Sequence, residues 1–296
     1  MPNTPRSWKT ERNKRREENF IGRKDYLRVF SENFTGDMPA YMIFSVTGEG
    51  GVGKSTLLKQ FEMIACKPPH SANVIICDDR YLSPVAVMGF VAEELGKKGF
   101  ENKDFDECYK KYCAMRQEIE GDPNVPRKWV DLLAYGVSDF TIKSLRKTPG
   151  VGVFMEYADE KAAGEALSQL FNYGINKWGN KDEIQLLREP EKILTPFFLE
   201  LVNEVCKKIH LVLMFDVFER TSDSLSPWLL ALFDFKYGDF NTNLTFVVSG
   251  RDPLEQHWTE YSGTLCHIML EPFTPEETRQ YLVNQGISDE TLISQI

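Results

Sequence analysis

Short apolar runs alternate with longer amphipathic segments along this chain. The runs are predicted to be β-strands, because each is a mostly apolar segment of strand length bounded by polar or turn residues: 41–46, 73–77, 211–215, 244–248 and 267–270. The segments between them carry apolar residues at helical spacing, such as Tyr26, Leu27 and Phe30. Strands that alternate with helices predict an α/β fold with a parallel sheet and helices on both of its faces.

Several helix starts are indicated by a hydroxyl residue followed by proline. The pair occurs at Ser83-Pro84, Thr195-Pro196, Ser226-Pro227 and Thr274-Pro275, and each is predicted to begin a helix. The hydroxyl can accept a hydrogen bond from a free N–H of the first turn, and proline suits the first helical position because its nitrogen carries no hydrogen. We expect the helix after Thr195 to run to about residue 208. Glu277 completes a capping box after Thr274, and Gly286 closes that helix.

A long charged stretch separates the second predicted strand from the third. From about 97 to 190 the pattern is mostly helical, most clearly over 104–119 and 161–178, with breaks at 121–123 and 149–152. We therefore predict a helical insertion between two strands. The pattern of the insertion indicates no function.

Composition narrows the classes of protein. The chain has 296 residues, of which 42% are hydrophobic and 27% are charged, as in an ordinary globular protein. Its net charge of −9 argues against broad binding to nucleic acid or to an anionic membrane. No apolar run approaches the roughly 18 residues of a membrane span, and the first residues lack the apolar core of a signal peptide. We therefore expect a cytoplasmic protein.

Neither the basic leader nor the cysteines indicate a specific site. Residues 6–18 fit an arm that touches nucleic acid or a partner, but the interspersed glutamates favour a solvated leader helix. The cysteines form no C-x-x-C pair, and only Cys266 adjoins a histidine, which argues against a zinc site and favours reduced thiols. Cys77 and Cys206 are expected to pack as small hydrophobic residues.

The most specific pattern joins the first predicted strand to the helix that follows it. Residues 48–55 fit G-x-x-x-x-G-K-[ST], the phosphate-binding P-loop, with the strand before and the helix after that the motif needs. Its glycines allow consecutive N–H groups to wrap a phosphate, and the helix N-terminus adds partial positive charge. Lys54 would reach the β- and γ-phosphates, and the Ser55 hydroxyl would bind Mg²⁺. The predicted nucleotide-binding residues of this loop are Gly48, Glu49, Gly50, Gly51, Val52, Gly53, Lys54, Ser55 and Thr56.

A P-loop also needs an acidic residue at the end of a neighbouring buried strand, because Mg²⁺ is otherwise incompletely coordinated. Asp216 directly follows the apolar strand 211–215 and is the candidate ligand, the alternative being an ordinary turn aspartate. Many P-loop ATPases place a glutamate next, but here Val217 stands in that position. Glu219 either acts on the attacking water near the γ-phosphate or pairs with Arg220. We therefore expect slow turnover.

Two arginines lie where a cation would serve a nucleotide. Arg251 follows the predicted strand 244–248, a position from which a cation senses the γ-phosphate or stabilises the charge in transfer. The alternative is a surface arginine in a turn. Arg23 follows Gly22 and could hold the base side of the nucleotide, which spacing alone does not show.

In their order, these segments resemble a known family. The series is FIGR, GEGGVGKST, LVLMFD, LTFVVSGRDP and EPFTPEETRQYL, over roughly residues 20–65 and 205–285. It is similar to the STAND NTPases, which are signal-transduction ATPases related to the AAA+ group and include modules of immune receptors, apoptotic adaptors and bacterial regulators. The resemblance implies a P-loop NTPase fold, a three-layer α/β sandwich with a parallel sheet, followed by the start of a helical lid.

The resemblance also implies roles for residues outside the P-loop. Backbone near Ile21 and Gly22 would contact adenine, with Arg23 nearby, and Pro272 matches the proline that lies over the nucleotide where the lid begins. Asp216 would serve Mg²⁺ and Arg251 would read the γ-phosphate. The expected ligands are thus ATP or ADP with Mg²⁺, and the expected output is self-association on activation.

The resemblance divides the chain into a leader (1–19), a P-loop NTPase domain (20–271) with the insertion at about 97–190, and the start of a lid (272–296). In the family a winged-helix subdomain and sensor repeats follow, so we expect this chain to be part of a longer protein whose C-terminal regions bind a signal or effector. Val217 departs from the family's acidic pair, which leaves the catalytic base open.

Three functions are compatible with a P-loop in this setting. The first is a slowly hydrolysing switch, in which ADP holds a closed monomer and exchange for ATP permits assembly. The second is an AAA+ ATPase that remodels protein or DNA, for which Arg220 or Arg279 would have to act across a ring interface. The charge of −9 weighs against DNA in that case. A small-molecule kinase fits least, because the Gly22-Arg23 leader would have no role in it.

Overall fold

The structure of the protein is a computed structural model. It describes residues 7–8, 20–36, 38–127, 160–254, 256–261, 263–287, 289 and 293. Nearly all of the predicted leader 1–19 lies outside the described residues. So does the centre of the predicted insertion, including its break at 149–152.

The described chain alternates strands with helices. The strands are β1 (Ile43–Thr47), β2 (Asn73–Cys77), β3 (Leu211–Phe215), β4 (Leu244–Gly250) and β5 (Leu265–Met269). The helices are α1 (Lys24–Glu32), α2 (Lys54–Cys66), α3 (Pro84–Gly96), α4 (Lys103–Gly121), α5 (Glu160–Trp178), α6 (Lys181–Arg188), α7 (Pro190–Cys206), α8 (Ser222–Phe233) and α9 (Pro275–Asn284). Two 3₁₀ helices, Phe218–Arg220 and Gln256–Tyr261, follow β3 and β4.

The strands form one parallel sheet in the order β2-β3-β4-β1-β5. Thr47 of β1 pairs with Gly250 of β4, and Phe215 of β3 pairs with Val248 of β4. Because parallel strands all end at the same edge of a sheet, the segments that follow β1, β3 and β4 meet at that edge. β4 lies between the strand that leads into the P-loop and the strand that leads into Asp216.

Apolar side chains alternate between the two faces of the sheet and build a core on each, as strand geometry requires. On one face Phe44, Val46 and Val247 pack with α1 and α2, where Phe30 stacks on Phe61 with ring centroids 4.0 Å apart. On the other face the alternate strand residues pack with α3, α7 and α8. The result is helix on sheet on helix, and the predicted fold class, the three-layer α/β sandwich of P-loop NTPases, is confirmed.

The stretch between β2 and β3 is helical in every described part that the pattern predicted. α4 and α5 match the predicted segments 104–119 and 161–178 to within two residues. α7 packs against both α3 and α4, and α6 packs against α4 and α5. The described helices of the insertion are therefore attached to the core on the α7 side of the sheet.

Two predicted helix starts are wrong. α7 begins at Pro190, so Thr195 and Pro196 lie inside it, and α8 begins at Ser222, which places Pro227 inside that helix. The Thr195 hydroxyl donates to the carbonyl of Glu191 one turn earlier and accepts a 3.0 Å hydrogen bond from Trp228 Nε1, so it satisfies core groups and caps nothing. Each internal proline removes one helical hydrogen bond, and tertiary packing outweighs that loss.

The other two predicted caps are confirmed. Ser83 Oγ accepts from Ala86 N at 3.3 Å, with Pro84 as the first residue of α3. Thr274 and Glu277 form the reciprocal capping box of α9, at 3.3 Å and 2.9 Å. Gly286, with φ 86°, follows the end of that helix. The sequence alone predicts these two helix starts, because each cap uses side-chain and backbone groups within one helical turn.

Candidate functional site

The P-loop connects β1 to α2 through a backbone that requires glycine. Gly48, Gly51 and Gly53 have φ of 149°, 84° and 100°, values that residues with a side chain rarely adopt. At Gly48 a Cβ would also lie 2.5 Å from the carbonyl oxygen of Leu270, which is backbone and cannot move aside. The loop is therefore held against the end of β5.

Lys54, the first residue of α2, closes this loop. Its Nζ donates to the carbonyl oxygens of Gly48 at 2.7 Å and Glu49 at 2.9 Å. Ser55 and Thr56 lie exposed in the first turn of the helix. Four N–H groups at a helix start lack helical partners, so this end offers donors and partial positive charge to an anion. The donor set fits a chain of phosphates.

Asp216 lies at the carboxyl edge of the sheet, where β3 ends. Its N–H donates to the carbonyl oxygen of Cys77 at 2.8 Å, and its Oδ1 accepts from Val217 N at 3.0 Å. Val217 has φ 56° and ψ 39°, the left-handed helical region that a β-branched residue adopts only under strain. Strained backbone clusters at functional sites, and this turn directs the chain into the 3₁₀ helix that carries Glu219.

Glu219 pairs with Arg251 and not with Arg220. Arg251 Nε lies 3.3 Å from Glu219 Oε1, whereas Arg220 Nη1 lies 2.6 Å from Asp79 Oδ2. Of the two roles that the sequence left open for Glu219, pairing with Arg220 is not what the structure shows. Glu219 also adjoins the backbone of Gly250, where an added Cβ would lie 3.4 Å from Oε2.

Arg251 reaches from the end of β4 to the P-loop. An added Cβ on Gly50 would lie 3.7 Å from Arg251 Nη2 and 3.8 Å from the central guanidinium carbon. The side chain of Arg251 is 63% exposed, so it keeps water contact while it borders the loop. This position beside Gly50 fits a cation that would meet phosphates held by the loop.

Arg23 borders the opposite end of the P-loop. An added Cβ on Gly53 would lie 3.8 Å from Arg23 Nη1, a buried nitrogen with no hydrogen-bond partner among the described residues. Burial lowers the pKa of the guanidinium from its ordinary value, and the carboxylate of Glu277 opposes this shift. A buried donor without a partner, beside a phosphate-binding loop, is the group expected to meet an anion.

Arg23 also ties the P-loop to the segment that leads into α9. Its Nη2 donates to the carbonyl oxygen of Glu271 at 3.1 Å, and its guanidinium lies 5.3 Å from the centre of the Phe273 ring. The exposed Pro272 lies between these two residues. Arg23 itself has φ 59°, so it is a second strained position at this site.

The Gly22 position allows α9 to approach this turn. An added Cβ on Gly22 would lie 2.0 Å from Glu277 Oε1, and Gly22 has φ 68°. Ile21, next to it, is 4% exposed and anchors the turn in the core. The structure thus brings Ile21, Gly22 and Arg23 together with the start of α9 and with the P-loop.

Sequence reasoning assigned no role to Ser45 and Ser249, which the structure places at the site. Both are buried, at 1% and 0% exposure, and neither hydroxyl has a partner among the described residues. Ser249 pairs in register with Val46 and shares the α2 face with Val247 by strand alternation. A serine within an apolar strand was the signal available in the sequence.

The described residues also bear on cysteines, metals and membranes. All six cysteines are free thiols, and Cys77 and Cys206 are buried as predicted. Burial raises the pKa of each of these two thiols to about 12.

Within the described ranges, no three or more His, Cys, Asp or Glu side chains cluster as a potential metal site. No helix in the described part of the chain is long and apolar enough to cross a membrane.

Comparisons with known proteins give a fold-level likeness. No family model matches the sequence, and no curated protein matches it. Among solved structures, the chain is similar to Cdc6p from Pyrobaculum aerophilum, with 12% sequence identity and a TM-score of 0.44. The match covers 92% of this chain and 52% of that chain, so this chain spans about half the length of the solved protein.

Proposed function

We propose that this chain binds ATP and ADP with Mg²⁺ at the P-loop and acts as a slowly hydrolysing regulatory switch of the STAND class. Exchange of ADP for ATP would control self-association and signalling. One observation carries the proposal: Arg23 borders Gly53 of the P-loop and also holds Glu271, at the start of the segment that leads into α9. A single side chain thereby connects the phosphate site to the proposed lid, residues 272–296.

The roles of the phosphate-binding groups follow from their positions. The loop 48–56 and the start of α2 would hold the phosphates through backbone N–H groups, with Lys54 exchanging its two carbonyl partners for phosphate oxygens. The Ser55 hydroxyl and the Asp216 carboxylate are hard oxygen donors of the kind that Mg²⁺ prefers. Mg²⁺ would supply charge neutralisation for the phosphates. Ile21, Gly22 and Pro272 would line the adenine side.

Two features support slow turnover. Val217 stands where an acidic residue would directly follow Asp216, and the next carboxylate along the chain, Glu219, is paired with Arg251. Glu219 would therefore act on water only after Arg251 turns to a bound γ-phosphate.

Switching would operate through differential contacts of the two nucleotides. ATP offers Arg251 a γ-phosphate and ADP does not, so only ATP would compete with Glu219 for that guanidinium. Both nucleotides would meet Arg23 through their inner phosphates. Arg23 would therefore report whether the site holds a nucleotide to residues 271–273 and α9, and Arg251 would report which nucleotide it is.

The test is the nucleotide content and turnover of the purified protein. We expect co-purified ADP and hydrolysis far below about one turnover per second, slow on the usual enzyme scale. In light scattering, the molar mass of the ATP-bound protein should exceed that of the ADP-bound protein, because ATP would permit self-association. Fast hydrolysis stimulated by a protein or DNA polymer would contradict the switch and identify the remodelling ATPase instead.

A further inference from the structure

A small cavity lined in part by Glu219 lies on the face of the sheet opposite α2. Its volume is about 150 Å³. β1 and β4 form one wall, through Ser45, Thr47 and Val248, and the 3₁₀ helix 218–220, α8 and the turn 251–254 form the other. Glu219 is the only residue of the proposed catalytic set that lines it within the described part of the chain.

Two buried oxygens of residues that line this cavity have no hydrogen-bond partner among the described residues. Ser45 Oγ is buried, on a residue with 1% exposure, and has no hydrogen-bond partner among the described residues. Glu219 Oε2 is likewise buried without a partner in that part of the chain, because the ion pair with Arg251 uses Oε1. Buried polar atoms in folded proteins are almost always hydrogen-bonded, to protein or to ordered water. Water is therefore needed to satisfy both.

The volume and charge of the cavity fit water better than an ion. A water molecule occupies about 30 Å³ of the liquid, so the cavity has room for a few molecules. The charge of Glu219 is balanced by Arg251, and Asp252, the other lining carboxylate, is exposed. A desolvated cation would lack the surplus negative charge that it needs.

We propose that this cavity is a store of ordered water from which Glu219 takes the molecule that attacks ATP. The inference rests on the proposed ATPase function. It names the route by which water, the second substrate of hydrolysis, reaches the site. In the reaction the water oxygen bonds to the γ-phosphorus, the bond from that phosphorus to the β–γ bridging oxygen breaks, and ADP leaves with that electron pair. The water proton passes to Glu219 Oε2, and phosphate then accepts it. A second water from the cavity takes the vacated place.

The test compares two variants of Ser45 that differ only in the hydroxyl. Ser45→Val and Ser45→Thr both enlarge the side chain, but threonine keeps the oxygen that holds water. We expect Ser45→Val to hydrolyse ATP at least tenfold more slowly than Ser45→Thr, with the Kd values of ATP and ADP within twofold of the unaltered protein. Its Tm should not fall, because valine suits a buried strand and removes an orphan hydroxyl.

Equal turnover of Ser45→Val and the unaltered protein would overturn the inference. So would an equal loss in both variants, since lost packing would then account for it. A crystal structure of the nucleotide-free protein provides a readout independent of activity: ordered water is expected on Ser45 Oγ and Glu219 Oε2. A dry cavity, or turnover that requires K⁺, would overturn the water store and leave the ATPase assignment intact. Absence of ATP hydrolysis by the unaltered protein would overturn both.

Discussion

Arg251 Nε lies 3.3 Å from Glu219 Oε1, and the same guanidinium borders Gly50 of the P-loop. The cation proposed to read the γ-phosphate thus neutralises the carboxylate proposed to activate water. A phosphate oxygen near Gly50 would compete with Glu219 for this cation. In the proposed mechanism, the pair would connect recognition of ATP to release of the base.

Arg251→Ala should remove the discrimination between ATP and ADP. A hydrogen bond to a charged group is worth about 1.5–3 kcal/mol, so ATP affinity should fall by about tenfold or more while ADP affinity stays unchanged. Titration calorimetry with a slowly hydrolysed ATP analogue and with ADP measures both. Arg28→Ala is the matched control, because Arg28 pairs with Asp25 on the surface of α1. An equal drop for both nucleotides would contradict the γ-phosphate role.

Lys54→Ala should abolish nucleotide binding under any function of the P-loop. Lys54 Nζ now bonds to the carbonyls of Gly48 and Glu49, and alanine can offer nothing to a phosphate there. We expect the Kd to rise at least about 100-fold, or about 2.7 kcal/mol. Lys59→Ala, an exposed lysine of the same helix, should bind as the unaltered protein does. Retained binding in Lys54→Ala would disprove the phosphate site itself.

Asp216→Asn should separate turnover from ADP binding. The amide keeps an oxygen that can accept from Val217 N but loses the charge that Mg²⁺ prefers. Hydrolysis in the presence of Mg²⁺ should fall about 100-fold or more, an effect of about 2.7 kcal/mol, with ADP affinity in EDTA unchanged. If ADP binding in EDTA is lost to the same extent, Asp216 has a structural role instead.

Val217→Asn should stabilise the fold. Asparagine adopts the left-handed region far more readily than a β-branched residue, for which this conformation costs of the order of 1–2 kcal/mol. The free energy of unfolding, measured in urea, should rise by about 1 kcal/mol. Val283→Asn is the control, because Val283 is exposed within α9 and should not gain stability. A loss of stability at position 217 would mean that the packing of valine outweighs its strain.

Stability should decrease between pH 6.5 and about pH 4 because of His210. Burial, with a smaller contribution from His70, lowers the pKa of His210 from 6.5 to about 4, and its Nε2 lies 2.8 Å from Thr245 Oγ1. Below pH 6.5 the unfolded chain takes up a proton that the folded chain does not, so the unfolded state is stabilised relative to the folded state. The loss amounts to roughly 2–3 kcal/mol by pH 4. His210→Gln should flatten this part of the pH profile of Tm; an unchanged slope would assign the effect to other groups.

Much of the fold follows from local sequence patterns. The strands β2 and β3 have the predicted bounds, because a short apolar run between turn residues has few other stable forms. The caps at Ser83 and Thr274 were equally predictable, since each uses groups within one helical turn. The starts at Thr195 and Ser226 were not, because contacts with distant elements extend both helices backwards beyond their local signal.

The candidate site divides in the same way. The sequence by itself determined the P-loop motif, because the motif and its strand and helix context lie within short stretches of chain. It also placed Asp216 and Arg251 directly after predicted strands, while the place of Arg23 did not follow from spacing. Only the tertiary structure decided which partner Glu219 takes, since that depends on β3 lying next to β4. It also decided that Ser45 lines a cavity and that Arg23 reaches Glu271, a residue 248 positions away. Contacts across such separations follow from the order of strands in the sheet, which no local pattern of residues encodes.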